Sequence, residues 1–219
     1  IGTWNEKFFK KYSNDIPGNW YFVKNPEELK KLLKSKIKPK YIFFLHWRWK
    51  VPSDITSKFE CVCFHMTDLP FGRGGSPLQN LIALGYNKTI LTALRMDQGM
   101  DTGPIYFKKK LSLIGRAEKI YENATKLSWT MIKDILEKKP KPYEQFGTPT
   151  IFKRRTPNQS KLGSDLSKTQ IYDFIRMLDA PGYPKAFLET EHYKLIFEKP
   201  VFRKNDLYAQ VKITCLRNE

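Results

Sequence analysis

Cysteine, histidine and acidic residues are all in short supply in this chain. Its three cysteines, Cys61, Cys63 and Cys215, spread over 219 residues, make no disulfide framework. No second Cys or His pair follows Cys61 and Cys63 at zinc-finger spacing, so no metal site is expected. The start, Ile1-Gly2-Thr3-Trp4-Asn5-Glu6-Lys7, has neither the basic region nor the apolar stretch of a signal peptide. No segment approaches the roughly 18 apolar residues of a membrane span. Internal repeats and low-complexity tracts are missing too. Together these absences predict a soluble cytoplasmic protein with no membrane contact.

Acids number 22 against 39 lysines and arginines, a formal charge of +17. The lysines are spread along the whole chain, which suits a solvated surface and speaks to solubility and steering rather than fold. The excess also suits an anionic ligand: a nucleotide, a folate tail or RNA. Charge alone does not separate these. With 41% apolar and 14% aromatic residues the composition is globular. A chain this long can bury roughly 70% of its unfolded surface, enough for one ordinary domain, or one domain with a small appendage.

Helix and strand signals alternate. Asn25-Pro26-Glu27-Glu28 reads as a helix start, with Leu29, Leu32, Leu33 and Ile37 following at helical spacing. Continuous apolar runs at Tyr41 to His46 and Cys61 to His65 predict strands covered on both faces. A short helix over Pro77 to Leu84 is closed by Gly85, and strands are expected at Thr89 to Met96 and Pro104 to Leu113. A long helix from about Ala117 to Glu137 carries Ile120, Ala124, Leu127, Met131 and Ile135 on one stripe. Ile1-Gly2-Thr3 looks like the tail of a strand, so a few native N-terminal residues are expected to be missing. Strands alternating with helices argue an α/β sheet, largely parallel. Lys138-Lys139-Pro140-Lys141-Pro142 reads as a linker. Beyond it Ser167-Lys168-Thr169-Gln170 reads as a capping box opening a helix, and Tyr193 to Phe197 and Tyr208 to Ile213 as strands of a small subdomain.

Of three histidines, His46, His65 and His192, only His65 ends a buried strand ahead of a glycine-rich turn, Gly72-Arg73-Gly74-Gly75. Open α/β sheets bind ligands at such carboxyl ends. The next strand ends in Arg95-Met96-Asp97-Gln98-Gly99-Met100-Asp101-Thr102-Gly103-Pro104, so the two loops are expected to face one crevice. Alone, His65 reads equally as a core histidine and Asp101 as a turn residue. Together they form the base-plus-orienter pair that general acid–base chemistry needs.

His65-Met-Thr-Asp-Leu-Pro, Arg73-Gly, Ser-Pro77 and Asp97-x-Gly-x-Asp101-Thr-Gly-Pro, in this order, resemble the folate-dependent formyltransferase family. The resemblance continues through Phe152-Lys153-Arg154-Arg155-Thr156-Pro157 and Pro181-Gly182-Tyr183-Pro184-Lys185-Ala186-Phe187, in the manner of sugar N-formyltransferases. It implies a Rossmann-like formyltransferase core with a mostly parallel sheet over 1–146, and a small C-terminal α+β subdomain over 147–219. The implied donor is 10-formyltetrahydrofolate. The implied acceptor is the amine of a nucleotide-linked amino sugar, as in lipopolysaccharide O-antigen biosynthesis, with no nucleic-acid partner; a homodimer is compatible.

By the same resemblance His65 accepts a proton or partners the oxyanion, and Asp101 orients it. Trp47 and Trp49 wall the pterin pocket, with Arg95, Asp97 and Gly99 on the folate side; read by themselves the tryptophans suit ordinary packing as well. Arg73 and the run Lys153, Arg154 and Arg155 hold the acceptor's phosphates, where the run by itself reads rather as a solvated basic surface. Cys63 stands where the family places an Asn that donates to the formyl oxygen, and a thiol is a weak donor. A backbone amide, His65 itself or Asn80 would have to replace it. Other readings are methionyl-tRNA formyltransferase, for which the length leaves no room for the usual further C-terminal domain, and a non-catalytic folate- or nucleotide-binding homologue. A glycinamide ribonucleotide formyltransferase would lack the second region.

Overall fold

The computed structural model describes residues 4–216. In chain order its elements are α1 (Trp4–Tyr12), α2 (Pro26–Lys34), β1 (Tyr41–Phe44), α3 (Ser53–Thr56), β2 (Glu60–His65), β3 (Arg73–Gly74), α4 (Pro77–Ala83), β4 (Lys88–Arg95), β5 (Ile105–Ser112), α5 (Ala117–Lys138), β6 (Ile151–Phe152), α6 (Lys168–Leu178), β7 (Ala186–Glu189), β8 (Tyr193–Arg203) and β9 (Asp206–Cys215). Helix starts follow the expected chemistry. The Asn25 side chain accepts the Glu28 amide at 2.8 Å, and Pro26 needs no partner for the N–H it lacks. At α6, Ser167 and Gln170 close a reciprocal capping box. The strand expected at Ile1-Gly2-Thr3 lies outside the described residues.

The main sheet runs in the order β1-β2-β4-β5. β1 lies parallel to β2, whereas β4 runs antiparallel to β2, with His65 opposite Thr92 and Val62 opposite Arg95. The α/β core and the small α+β region after it therefore stand as expected, with an antiparallel strand inside the sheet.

Two compact units interleave along the chain. The first comprises the described residues up to Gly74, Ile90–Leu111 and Glu122–Ile151. Here Leu29, Phe44, Val51 and Cys61 form one buried cluster, with Trp47 and Met96 packed on it. Leu69, Leu94 and Ile105 form another, against which Cys63 packs. Helix α5 buries Ala124, Met131 and Ile135 as its spacing predicts, while Leu127 is only partly covered. Burying a side chain the size of Met131 or Ile135 contributes roughly 1.5–3 kcal/mol.

Just beyond the segment read as a linker, 138–142, the chain is pinned. Tyr143 exchanges both backbone hydrogen bonds with Ile105, at 2.9 and 2.7 Å, because β5 is the edge of the sheet and its backbone groups need partners.

The second unit comprises Gly75–Thr89, Ser112–Tyr121 and the chain from Phe152 onward. Its strands β7, β8 and β9 form an antiparallel meander, with α6 packed on β8 and on α4. A bulge between Glu198 and Val201 frees the Lys199 amide, which donates to Asp179 at 2.9 Å. Asp179 also pairs with Lys185 at 2.8 Å and Arg116 at 3.3 Å. Burial pushes the Asp179 carboxyl up, but these donors together outweigh it and hold it below the usual range.

Candidate active site

Side chains alternate along a strand, so Cys61, Cys63 and His65 share one face of β2. His65, at the strand's end, is buried. Its Nε2 lies 2.8 Å from the Gly72 carbonyl oxygen, which can only accept. Nε2 therefore carries a proton, and Nδ1 is the ring nitrogen left to face Asp101. Asp101 Oδ2 lies 3.4 Å from that Nδ1 and accepts the Gly74 amide at 2.9 Å.

His65 and Asp101 are thus brought together as expected, although not by two strands ending side by side. Because β4 runs antiparallel to β2, its carboxyl end lies beside Val62, and the chain folds back to bring Asp101 to His65. Asp101 itself has φ +56, the left-handed region that Asp tolerates better than most residues. The ring thus has Gly72 at Nε2 and Asp101 at Nδ1.

The fold-back is tight. Asp97 Oδ1 accepts the Gly99 amide at 3.0 Å and the Thr102 hydroxyl at 2.6 Å. A side chain at Gly103 would place its Cβ 1.9 Å from the Arg95 carbonyl oxygen, so only glycine fits there. Arg95 lies toward the other end of β2 from His65, with Nε 2.7 Å from Glu60, which also accepts the Tyr106 hydroxyl.

Cys63 packs among apolar side chains next to His65. Burial pushes its thiol well above the usual range, and the Asp101 carboxylate adds to the effect. It is a neutral thiol, neither a nucleophile nor a strong donor. Asn80, considered as a replacement donor, has its Nδ2 donating to the carbonyls of Gly75 at 2.9 Å and Lys153 at 3.1 Å.

Past β1, Trp47 and Trp49 meet edge to face at 4.9 Å, and the Arg48 guanidinium lies over Trp49. Trp47 Nε1 is buried without a hydrogen-bond partner among the described residues. An unpaired buried indole donor calls for an acceptor. A heteroaromatic ligand with ring carbonyl and nitrogen acceptors fits that requirement.

Arg73 gives its Nε and Nη2 to Gln145 Oε1, at 3.1 and 2.7 Å. In the second unit Lys153 and Arg154 are exposed. Arg155 is half-buried over the Phe174 ring and donates to the Gln159 carbonyl, and burial pushes its guanidinium down. Sequence reasoning missed Gln145 and Thr150, whose hydroxyl accepts the Gly72 amide at 2.7 Å. Single polar residues in an irregular stretch give no periodic signal.

Residues 157–214 match the family described as methionyl-tRNA formyltransferase, C-terminal domain. A curated methionyl-tRNA formyltransferase of Francisella tularensis subsp. tularensis (strain WY96-3418) is 30% identical over 163 residues, 71% of this chain and 51% of the relative. The chain thus spans about half the length of the curated relatives it matches. The solved structure titled methionyl-tRNA formyltransferase from Clostridium thermocellum is 42% identical, with a TM-score of 0.91 over 98% of this chain and 96% of that one. A sugar N-formyltransferase from Shewanella sp FDAARGOS_354 is 16% identical, with a TM-score of 0.61 over 80% of this chain and 74% of its own, a likeness of fold alone.

Two expectations fail against these findings. The nucleotide-linked amino sugar as acceptor, with nucleic acid excluded, rested on a likeness that holds only at the level of the fold. The argument that the chain is too short for a tRNA enzyme's C-terminal domain fails because residues 157–214 match that domain.

Proposed function

The chain belongs to the formyltransferase family, and from that premise we propose that it formylates the amine of methionyl-tRNA with 10-formyltetrahydrofolate as donor. The observation that carries the reading is the 42% identity to a methionyl-tRNA formyltransferase across nearly the full length of both chains. The proposed layout is a catalytic core over 1–146 and a smaller region over 147–219, within which the matched residues 157–214 fall.

10-Formyltetrahydrofolate, the donor used by formyltransferases of this family, supplies the formyl carbon and a leaving nitrogen. Trp47 and Trp49 would wall the pterin, with the unpaired Trp47 Nε1 donating to it. The loop from Asp97 through Gly99 would close the other side. His65, fixed through Nε2, takes the attacking amine's proton at Nδ1, and Asp101 Oδ2 stabilises the resulting imidazolium. The same ring returns the proton to the departing folate nitrogen. The carbon–nitrogen bond to the new amide forms, the one to folate breaks, and the proton count is unchanged. Exposed Lys153 and Arg154 would offer cations to the acceptor's phosphates.

The test mixes the protein with 10-formyltetrahydrofolate and charged initiator tRNA and follows formylmethionine. Binding should weaken steeply as salt rises, because tRNA brings many phosphate contacts and a nucleotide sugar brings two. His65→Asn should lower turnover roughly 100-fold or more. Absence of formylmethionine, with formyl transfer to a small nucleotide-linked amine instead, overturns the reading.

A further inference from the structure

We propose that Gln145 is a positioning residue that holds Asp101 against His65. The proposal rests on the formyl-transfer reading for its kinetic consequences and on geometry for the rest.

Asp101 occupies the left-handed region, which a non-glycine residue keeps only where the surroundings enforce it. On either side of this residue Met100 is exposed, Thr102 is tied to Asp97, and Gly103 lies against the Arg95 carbonyl. Gln145 supplies the side-chain contact to the Asp101 backbone itself. Its Nε2 donates to the Asp101 carbonyl and to the Gly103 carbonyl, each at 2.8 Å. These carbonyls flank the turn that aims the Asp101 carboxylate.

The other end of the same amide, Oε1, accepts both contacts from Arg73. Two amide hydrogens and two lone pairs are all used, so the side chain has one orientation. The cationic donors on Oε1 also strengthen the two bonds that Nε2 gives.

Gln145 is itself anchored on both sides in sequence. Tyr143 is bridged to Ile105, and Thr150 accepts the Arg73 amide at 2.9 Å and the Gly72 amide on its hydroxyl. Gly72 supplies the carbonyl that fixes His65 Nε2. One strap, residues 143 to 150, thereby sets both sides of the His65 ring: Gly72 at Nε2 through Thr150, and Asp101 at Nδ1 through Gln145. No substitution reproduces the amide. Glu keeps the Arg73 contact but has no hydrogen for the carbonyls, Leu has neither, and Asn is a methylene short.

The test compares Gln145→Leu and Gln145→Glu with the native protein and with Asp101→Asn. Misplacing the carboxylate should lower kcat roughly ten- to a hundredfold with KM changed little. Gln145→Glu should lose as much turnover as Gln145→Leu while melting close to native, because its ion pair with Arg73 survives. In the Asp101→Asn background, Gln145→Leu should cause little further loss, since it acts through a group already removed.

A second readout needs no acceptor. The Gly74 amide proton is bonded to the Asp101 carboxylate, so its NMR resonance should move in Gln145→Leu toward its position in Asp101→Asn. Losses that multiply with those of Asp101→Asn, or a Gly74 resonance unmoved by Gln145→Leu, overturn the proposal. Failure of the native protein to formylate methionyl-tRNA sinks the proposed function instead, and the Gly74 resonance still decides the role of Gln145.

Discussion

Replacing Cys63 with Asn should make this protein faster and less stable at once. The sulfur lies on the His65 face of β2 and packs against Leu69, Leu94 and Ile105. Burial keeps this thiol protonated, against a small opposing pull from its own backbone N–H. An amide placed there brings two N–H groups and a carbonyl into apolar surroundings. Without ligand, leaving such a group unsatisfied costs about 1–3 kcal/mol. For a chain of this size that lowers Tm by roughly 2–4 °C per kcal/mol, or about 2–12 °C in all. With ligand bound, the amide can donate to the formyl oxygen as charge develops on it. One well-placed donor of this kind is worth about 2.7–4 kcal/mol, or roughly 100- to 1000-fold in kcat. Even a fraction of that should show as a clear rise in single-turnover rate with acceptor affinity unchanged. Melting by circular dichroism and single-turnover formylation measure the two effects separately. A variant that melts like the native protein and turns over more slowly would refute the reasoning, because it would mean that the site already has its donor and that the Cys63 pocket is polar.

Gly103→Ala should lower stability by at least about 2 kcal/mol, since its Cβ would lie 1.9 Å from a backbone oxygen that cannot swing away; chemical denaturation measures it. Cysteine titration of the native protein should show one fast thiol, the exposed Cys215, with the half-buried Cys63 much slower because it stays protonated and the buried Cys61 reacting only on unfolding. Burial pushes Cys61 up to about 12 and Cys63 well above its usual range. Their folded values exceed the unfolded one of about 8.5, so the unfolded state sheds these protons first and stability should fall as pH rises past that value. Asp179→Asn should cost on the order of 3 kcal/mol at neutral pH, because Lys185 and Arg116 lose their carboxylate. The native carboxyl sits below its unfolded value of about 3.9. Its contribution is full above that value and lost as pH falls through the folded one, so native and variant stabilities should converge in acid.

Periodic features were legible in the sequence. The apolar runs of β1, β2 and β4 and the α5 stripe placed those elements within a few residues, and cap chemistry at Asn25 and Ser167 fixed two helix starts. His65 and Asp101 were legible because two short motifs stand in a fixed order. What the sequence hid was direction and reach. Nothing in Thr-Ile-Leu-Thr-Ala-Leu-Arg says that β4 runs antiparallel to β2, because a strand covered on both faces reads the same either way. Gln145 lies just past the Lys- and Pro-rich run read as a linker, in an irregular stretch with no periodic signal, and its proposed role depends on partners 72 and 44 residues away. The acceptor was misread because motifs shared across the family report the common chemistry, while acceptor choice depends on surfaces the motifs do not touch.

The strap has a consequence for how the site comes into being. His65 and Asp101 emerge early in synthesis, yet the groups that aim them come much later: Thr150 lies 78 residues beyond Gly72. Bringing such distant partners together carries a loop-closure cost that must be met before any contact rewards it. The sheet and most of α5 can assemble on nearer contacts, while the His65–Asp101 geometry waits for residues 143 to 150 to settle. A chain halted after α5 would hold its histidine and its aspartate and have nothing to point one at the other. Completion of the fold, rather than the presence of His65 and Asp101, is what would bring the proposed site into register.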